Sequence, residues 1–249
     1  MGDVQLTKRL TAEAVGTALL LATVIGSGIM GDRLSGGNVA VALLANAIAT
    51  GGSLVALILT FGPISGAHFN PAVTISDAAL GGLGWAEVPG YVAAQIAGAF
   101  IGVAMAHGMF GLPIFFASEH VRSGWAQIFS EAVATFGLLS VIWGCARSRP
   151  TAVAFAVAAY ITAAYWFTSS TSFANPAVTL ARAASNTFAG IRPADIPGFL
   201  VGQAVGALTA AALFRWLLPS AARVAPAVLL PHPGRREDGP SAEASHGAR

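Results

Sequence analysis

The sequence predicts an all-α membrane protein with six crossing helices and two shorter re-entrant helices, arranged as two inverted halves. Three observations carry this. Only 10% of the 249 residues are charged while 55% are hydrophobic, whereas an ordinary soluble domain carries about 25% charged residues. Six apolar runs are long enough to cross a bilayer, which takes about 20 residues. Finally, the boxes Asn70-Pro-Ala-Val-Thr74 and Asn175-Pro-Ala-Val-Thr179 are identical and lie 105 residues apart.

The first run, residues 10–30, follows Lys8 and Arg9. It exceeds the 7–15 apolar residues of a cleavable signal, so it reads as the first crossing helix. The other runs fall near 39–61, 88–110, 125–146, 151–169 and 196–218. They are rich in Gly and Ala, and small residues let membrane helices approach closely where lipid supplies no hydrophobic drive. Residues 70–80 and 175–185 are too short to cross. Each opens on Asn, a favoured N-cap, followed by Pro, which is well tolerated at the first helical position. Both read as half-helices.

The halves repeat each other in order. Ala12-Glu-Ala-Val-Gly-Thr17 echoes Ser130-Glu-Ala-Val-Ala-Thr135, the two boxes coincide, and Pro89-Gly-Tyr-Val-Ala-Ala-Gln95 echoes Pro197-Gly-Phe-Leu-Val-Gly-Gln203, at offsets of 105 to 118. Each half holds three crossings. Three is odd, so the second half starts on the opposite side and is inverted, as in many transport proteins. A channel domain over 1–218 follows, with halves at about 7–110 and 124–218. Each half-helix is roughly 15 Å long, so two of them end to end match a core of about 30 Å, with their N-termini meeting at mid-membrane.

With both termini cytoplasmic, nine Lys and Arg residues lie inside and four (Arg33, Arg122, Arg182 and Arg192) outside, in line with the positive-inside rule. Residues 219–249 are rich in Pro, Ala, Gly and charge and read as a disordered cytoplasmic tail. The net charge of +2 excludes a nucleic-acid binder. Cys145 is the single cysteine, which excludes an intrachain disulfide and reads as packing. His232 and His246 are an isolated histidine pair in the tail, without a metal-ligand motif, so no metal or other cofactor is expected.

Residues 62–69 and 168–174, before the half-helices, are rich in small residues and are expected to run extended with carbonyls along a pore. Irregular backbone at membrane depth needs such a water-lined or buried setting. Two helix N-termini, each carrying roughly +0.5 charge, would face the amide groups of Asn70 and Asn175 at the midplane. Those dipoles repel cations, and each amide donates to a passing oxygen. A water held this way points its hydrogens outward and interrupts a proton wire.

Ser65-Gly-Ala-His-Phe-Asn-Pro-Ala-Val-Thr74, the second box and the paired Glu-Ala-Val segments resemble the major intrinsic protein family of aquaporins and glycerol facilitators, over residues 7–218. The lack of a targeting segment and the compact loops point to a bacterial inner membrane. The resemblance implies a passive, non-enzymatic channel, a homotetramer with one pore per subunit. Its partners are the bilayer and small neutral solutes. It assigns the pore midplane to Asn70, Pro71, Ala72, Asn175, Pro176 and Ala177, and structural support to Glu13, Glu131 and His68. It maps the selectivity filter onto Thr50, Ala163, Ser172 and Val178. Water-selective members have an aromatic residue, His and Arg at the first, second and last of these; here none is present. Glycerol facilitators read Asn-Pro-Ala-Arg-Asp in the second box, and here Val178 and Thr179 stand in those last two places. The stretch from Asn175 to Gly190 is similar to a bacterial branch associated with arsenic-resistance genes, which implies neutral metalloid acids as cargo. A filter of Thr, Ala, Ser and Val predicts a wide, uncharged constriction.

Three other functions are weighed against a wide channel. A water-selective aquaporin is the nearest. A secondary transporter would need a coupling pair, for which Glu13 and Glu131 are the candidates. An intramembrane enzyme would rest on Ser65 and His68, which have no orienting carboxylate in view.

Overall fold

The structure, a computed structural model, describes residues 4–217. The tail predicted over 219–249, with His232 and His246, lies outside the described residues. Eight α-helices follow in order: α1 Leu6–Leu34, α2 Val39–Ser65, α3 Pro71–Ala79, α4 Val88–Met109, α5 Trp125–Ser148, α6 Val153–Phe167, α7 Pro176–Arg182 and α8 Ile196–Leu217. All except α3 and α7 belong to segments long and apolar enough to cross a membrane. The described residues contain no strand, only one isolated bridge between Phe116 and Ser185.

The boundaries depart from the sequence reading in physically sensible places. α1 begins at Leu6, so Lys8 and Arg9 are helical. There Arg9 pairs with Glu87 at 2.8 Å and 3.0 Å and donates to Tyr91 Oη, tying α1 to the start of α4. α2 runs on through Pro63 to Ser65 and ends on Gly66 at φ 90°, a left-handed cap that only Gly takes without cost. α3 and α7 start at Pro71 and Pro176, capped by the side chains of Asn70 and Asn175.

Helices α1 to α4 reappear as α5 to α8. α1 packs on α4 as α5 packs on α8, and α2 meets α6 across the middle. The tightest approaches are made by glycine. A Cβ at Gly98 or Gly102 would overlap the backbone oxygens of Ala14 and Ala18, and one at Gly202 or Gly206 would overlap those of Ile128 and Ala132. Each pair is a Gly-x-x-x-Gly face, whose bare backbone permits van der Waals contact between helix axes. The connection from α4 to α5 lies along the chain that follows α7. It is held by Phe116 N–H to Ala184 O, Ser118 N–H to Ala183 O and Arg192 N–H to His120 O at 2.8–3.1 Å.

Gly98→Leu and Gly206→Leu are each expected to lower the thermal midpoint of the protein in detergent, through overpacking that costs about 1–3 kcal/mol or more. Gly52, which has open space around its Cβ position, is the control. Gly52→Leu should leave the midpoint unchanged.

Candidate functional site

The site is built from two loops that break the helical rule at the centre of the molecule. In residues 66–69 and 171–174 the backbone is not extended, contrary to the sequence expectation. φ is positive at Ala67 and Phe69, and again at Thr171, Ser172 and Ala174. A left-handed L-residue costs roughly 1–2 kcal/mol. The cause of this conformation is a buried carboxylate behind each loop.

Glu13 Oε1 accepts from Ser65 Oγ–H at 2.6 Å and from His68 N–H at 2.9 Å. Its Oε2 accepts from Phe69 N–H at 2.7 Å and from Gln95 Nε2 at 2.8 Å. Glu131 repeats the arrangement with Ser170 Oγ–H, Phe173 N–H, Ala174 N–H and Gln203 Nε2, at 2.6, 2.9, 2.8 and 2.7 Å. Both Glu side chains are fully buried. Four donors thus converge on each acceptor-only group, and hydrogen bonds to charged groups contribute about 1.5–3 kcal/mol each. That is enough to offset the strained residues. The left-handed turns at Gly66, Ala67 and Phe69, repeated at Thr171, Ser172 and Ala174, are what let successive N–H groups reach one carboxylate. Gln95 and Gln203 also donate to Thr74 Oγ1 and Thr179 Oγ1 at 2.8 Å, carrying the support onto α3 and α7. The repeat contained both glutamines, but pattern alone assigned them no role.

The loops also hold each other. Asn70 Nδ2 donates to Ala174 O and Asn175 Nδ2 donates to Phe69 O, each at 2.8 Å. Each Asn Oδ1 meanwhile accepts from its own half-helix: Ala72 N–H for Asn70, Ala177 N–H and Val178 N–H for Asn175. An amide nitrogen carries two hydrogens. One is used across the loops, and the other remains for whatever occupies the cavity that both residues line.

That cavity runs between the two halves. On the side where α1 begins (the near side) Ile58, Ile142 and Val157 line it; at its centre are Asn70 and Asn175. On the far side are Thr50, Tyr165, Ser172, Val178 and Arg182. His68 lines it as well. Its Nδ1 lies 3.0 Å from Thr74 Oγ1 and its Nε2 lies 3.8 Å from Asp77 Oδ2. Thr50, Ser172 and Val178, the mapped filter positions, all border this cavity.

Ala163 does not. It is on the exposed outer side of α6, and Tyr165, two residues on, reaches the cavity instead. Tyr165 is buried, and its Oη lies 3.2 Å from Thr50 Oγ1. Two residues are about 200° on a helix, so this error in register turns a wall position into an outward one. An aromatic ring, its hydroxyl beside Thr50, thus lines the far side of the cavity where the sequence reading put a methyl.

Arg122 and Arg182, both buried, each place the guanidinium against the ring of Phe173. The Arg182 guanidinium carbon is 3.3 Å and that of Arg122 5.1 Å from the centre of Phe173. Arg122 donates to Gly190 O, Ser170 O and Thr171 Oγ1, buckling the far-side connection onto the second loop. Burial pulls its guanidinium down to about 10, partly countered by Glu131 and Tyr165, so it stays charged at neutral pH. Ser65 Oγ–H is given to Glu13 and His68 Nδ1 lies against Thr74 Oγ1, and no group of three or more His, Cys, Asp or Glu able to hold a metal occurs among the described residues.

Glu13→Gln and Glu131→Gln each place an N–H where donors converge. Each is expected to cost about 1–3 kcal/mol for every donor left without an acceptor, seen as a lower thermal midpoint and at least tenfold slower solute flux in proteoliposomes. The two losses should be similar, because the two cages are.

Comparison with known proteins agrees with this architecture. A family model described as "Major intrinsic protein" matches residues 1–150. The aquaglyceroporin AqpS of Rhizobium meliloti is 55% identical over 221 residues, covering 89% of this chain and 94% of that protein. Aquaporin NIP2-2 of Zea mays is 33% identical over 223 residues, covering 84% and 71%. An X-ray structure of the aquaglyceroporin from Plasmodium falciparum superposes with a TM-score of 0.67 at 19% identity, over 87% of this chain and 99% of that one, a likeness of fold. Six apolar helices, two inverted half-helices and this extent of identity lead to one conclusion: the chain is a multi-pass membrane protein of the major intrinsic protein family.

Proposed function

We propose that the chain is a passive channel for small uncharged solutes, passing polyols, neutral metalloid acids and water while excluding protons. One observation carries the reading most directly. Two Asn side chains, each at a half-helix N-terminus, border one largely apolar cavity and keep a donor free toward it. A neutral solute can exchange water for those amides. An ion cannot recover its hydration along apolar walls, and the facing helix dipoles oppose a proton. The midplane set is Asn70, Pro71, Ala72, Asn175, Pro176 and Ala177. The filter is Thr50, Tyr165, Ser172 and Val178, with Tyr165 taking the place first given to Ala163. Glu13, Glu131 and His68 support the loops.

The resemblance to the Rhizobium meliloti aquaglyceroporin supports the solute class. The small side chain of Val178 supports passage of molecules larger than water. We place the protein in a bacterial inner membrane with both termini cytoplasmic, as a homotetramer and without catalytic activity. The Tyr165 ring favours a second reading, a water-selective channel, because it narrows a constriction that Thr, Ala, Ser and Val would leave wide.

Stopped-flow light scattering of proteoliposomes separates the two. Under glycerol, urea or arsenous acid gradients, re-swelling at least tenfold faster than in protein-free liposomes is expected. Fast water flow without solute entry would favour the water channel. Flux should rise linearly with the gradient and ignore a protonophore; saturation or coupling to pH would instead indicate a transporter. Tyr165→Ala is expected to raise glycerol flux severalfold relative to water. Ala163→Val should change neither, and the opposite pattern would restore Ala163 to the filter.

A further inference from the structure

The far mouth of the cavity carries a charge that its filter positions do not. Val178 and Arg182 are four residues apart on α7, hence on one face of that helix. A long side chain on a helix leans back toward the helix N-terminus. The guanidinium of Arg182 rests on the ring of Phe173, and Val178 and Arg182 both line the cavity with Ser172 and Tyr165. Only its Nε has an acceptor, Ala189 O. The two terminal nitrogens have none among the described residues, and no described carboxylate pairs with it at ion-pair distance. Arg122, which also packs on Phe173, gives its Nε–H to Gly190 O and its Nη1 to Ser170 O and Thr171 Oγ1, and it does not line the cavity.

The inverted half offers nothing equivalent. The position of Arg182 in the repeat is occupied by Asp77, which does not line the cavity. Among the described lining residues Arg182 is the one permanent charge. Its field reaches the far-side connection: burial, with help from Arg122 and Arg182, holds the His120 imidazole below its ordinary value.

We infer that Arg182 is the charge-selecting residue of the far constriction, turning away small cations and docking solutes through an acceptor oxygen. This rests on the channel reading above. Its Nε–Ala189 bond and its seat on Phe173 hold the guanidinium still, and its terminal N–H groups supply two donors to a carbonyl, an oxyacid or a carboxylate. At an effective dielectric of about 20 and a separation of about 6 Å, one charge changes the local population of a passing cation on the order of 100-fold.

Urea and guanidinium make the test, being nearly the same shape with and without a charge. In proteoliposomes the native protein is expected to pass urea and exclude radiolabelled guanidinium. Arg182→Gln should raise the rate of guanidinium entry relative to that of urea at least tenfold. Arg182→Lys, which keeps the charge and loses the Nε bond, should exclude guanidinium as the native protein does. Unchanged exclusion in Arg182→Gln would overturn the inference. So would equal leakage in both variants, since that would make Arg182 a structural strut.

A second measurement needs no variant. Formate should slow urea entry through the native channel at least twofold relative to gluconate at equal ionic strength, because the smaller carboxylate reaches the guanidinium. Equal rates in the two salts would also overturn the inference. If the native protein passes no urea, the solute-channel reading fails on its own, and the formate comparison is then read from water flux.

Discussion

Everything at the centre of this molecule depends on two carboxylates placed where a membrane protein least tolerates them. Glu13 and Glu131 sit in crossing helices, fully buried, and each collects four hydrogen bonds. Without them, loop N–H groups would be unpaired at a depth where each unsatisfied group costs several kcal/mol. With them, a strained loop becomes the lower-energy choice. The strain and its compensation occur together in both halves, so the two loops present matching surfaces and clasp each other through Asn70 and Asn175.

The clasp explains why the half-helices need no covering helix at their N-terminal ends. An N-terminus normally leaves several N–H groups without intrahelical partners. Here Asn caps one or two of them, Pro removes another, and the cavity receives the rest. The consequence is a positive electrostatic centre made from backbone rather than from titratable side chains. It does not vary with pH and does not need a metal. The Gly-x-x-x-Gly contacts of α4 and α8 serve the same end one layer out. They draw α1 and α5 close enough for Gln95 and Gln203 to reach the carboxylates.

The two halves are alike in scaffold and unlike in lining. Glu, Gln, Thr, Ser and Asn recur at equivalent places with nearly equal distances. Asp77 and Arg182 occupy equivalent places with opposite charge. The near side of the cavity has a His backed by a carboxylate, and the far side has an arginine stacked on Phe173. Support is thus shared by the repeat, while the charge at the cavity's two sides differs where the repeat has diverged.

Much of this was legible in the chain itself. Charge scarcity and run length are summed over many residues, so the six crossings and the membrane setting survive local error. The odd number of crossings per half determines inversion by counting alone. The Asn-Pro-Ala boxes carry their own geometry, since an N-cap and a first-turn proline act locally. The repeat also marked Glu13 and Glu131 as equivalent.

Rotation of an apolar helix was not legible. α6 reads Val-Ala-Phe-Ala-Val-Ala-Ala-Tyr-Ile-Thr-Ala-Ala-Tyr-Trp-Phe, nearly as apolar toward lipid as toward the pore, so no periodicity tells Ala163 from Tyr165. Nor was the reach of a long side chain: Arg182 lies at the far end of α7, and only the packed structure shows it lining the cavity against Phe173. By itself the sequence determined the elements, their order and their inverted pairing, because these follow from composition and local capping. Only the tertiary structure decided which side chains meet the solute, because facing and reach are set by packing between helices far apart in the chain.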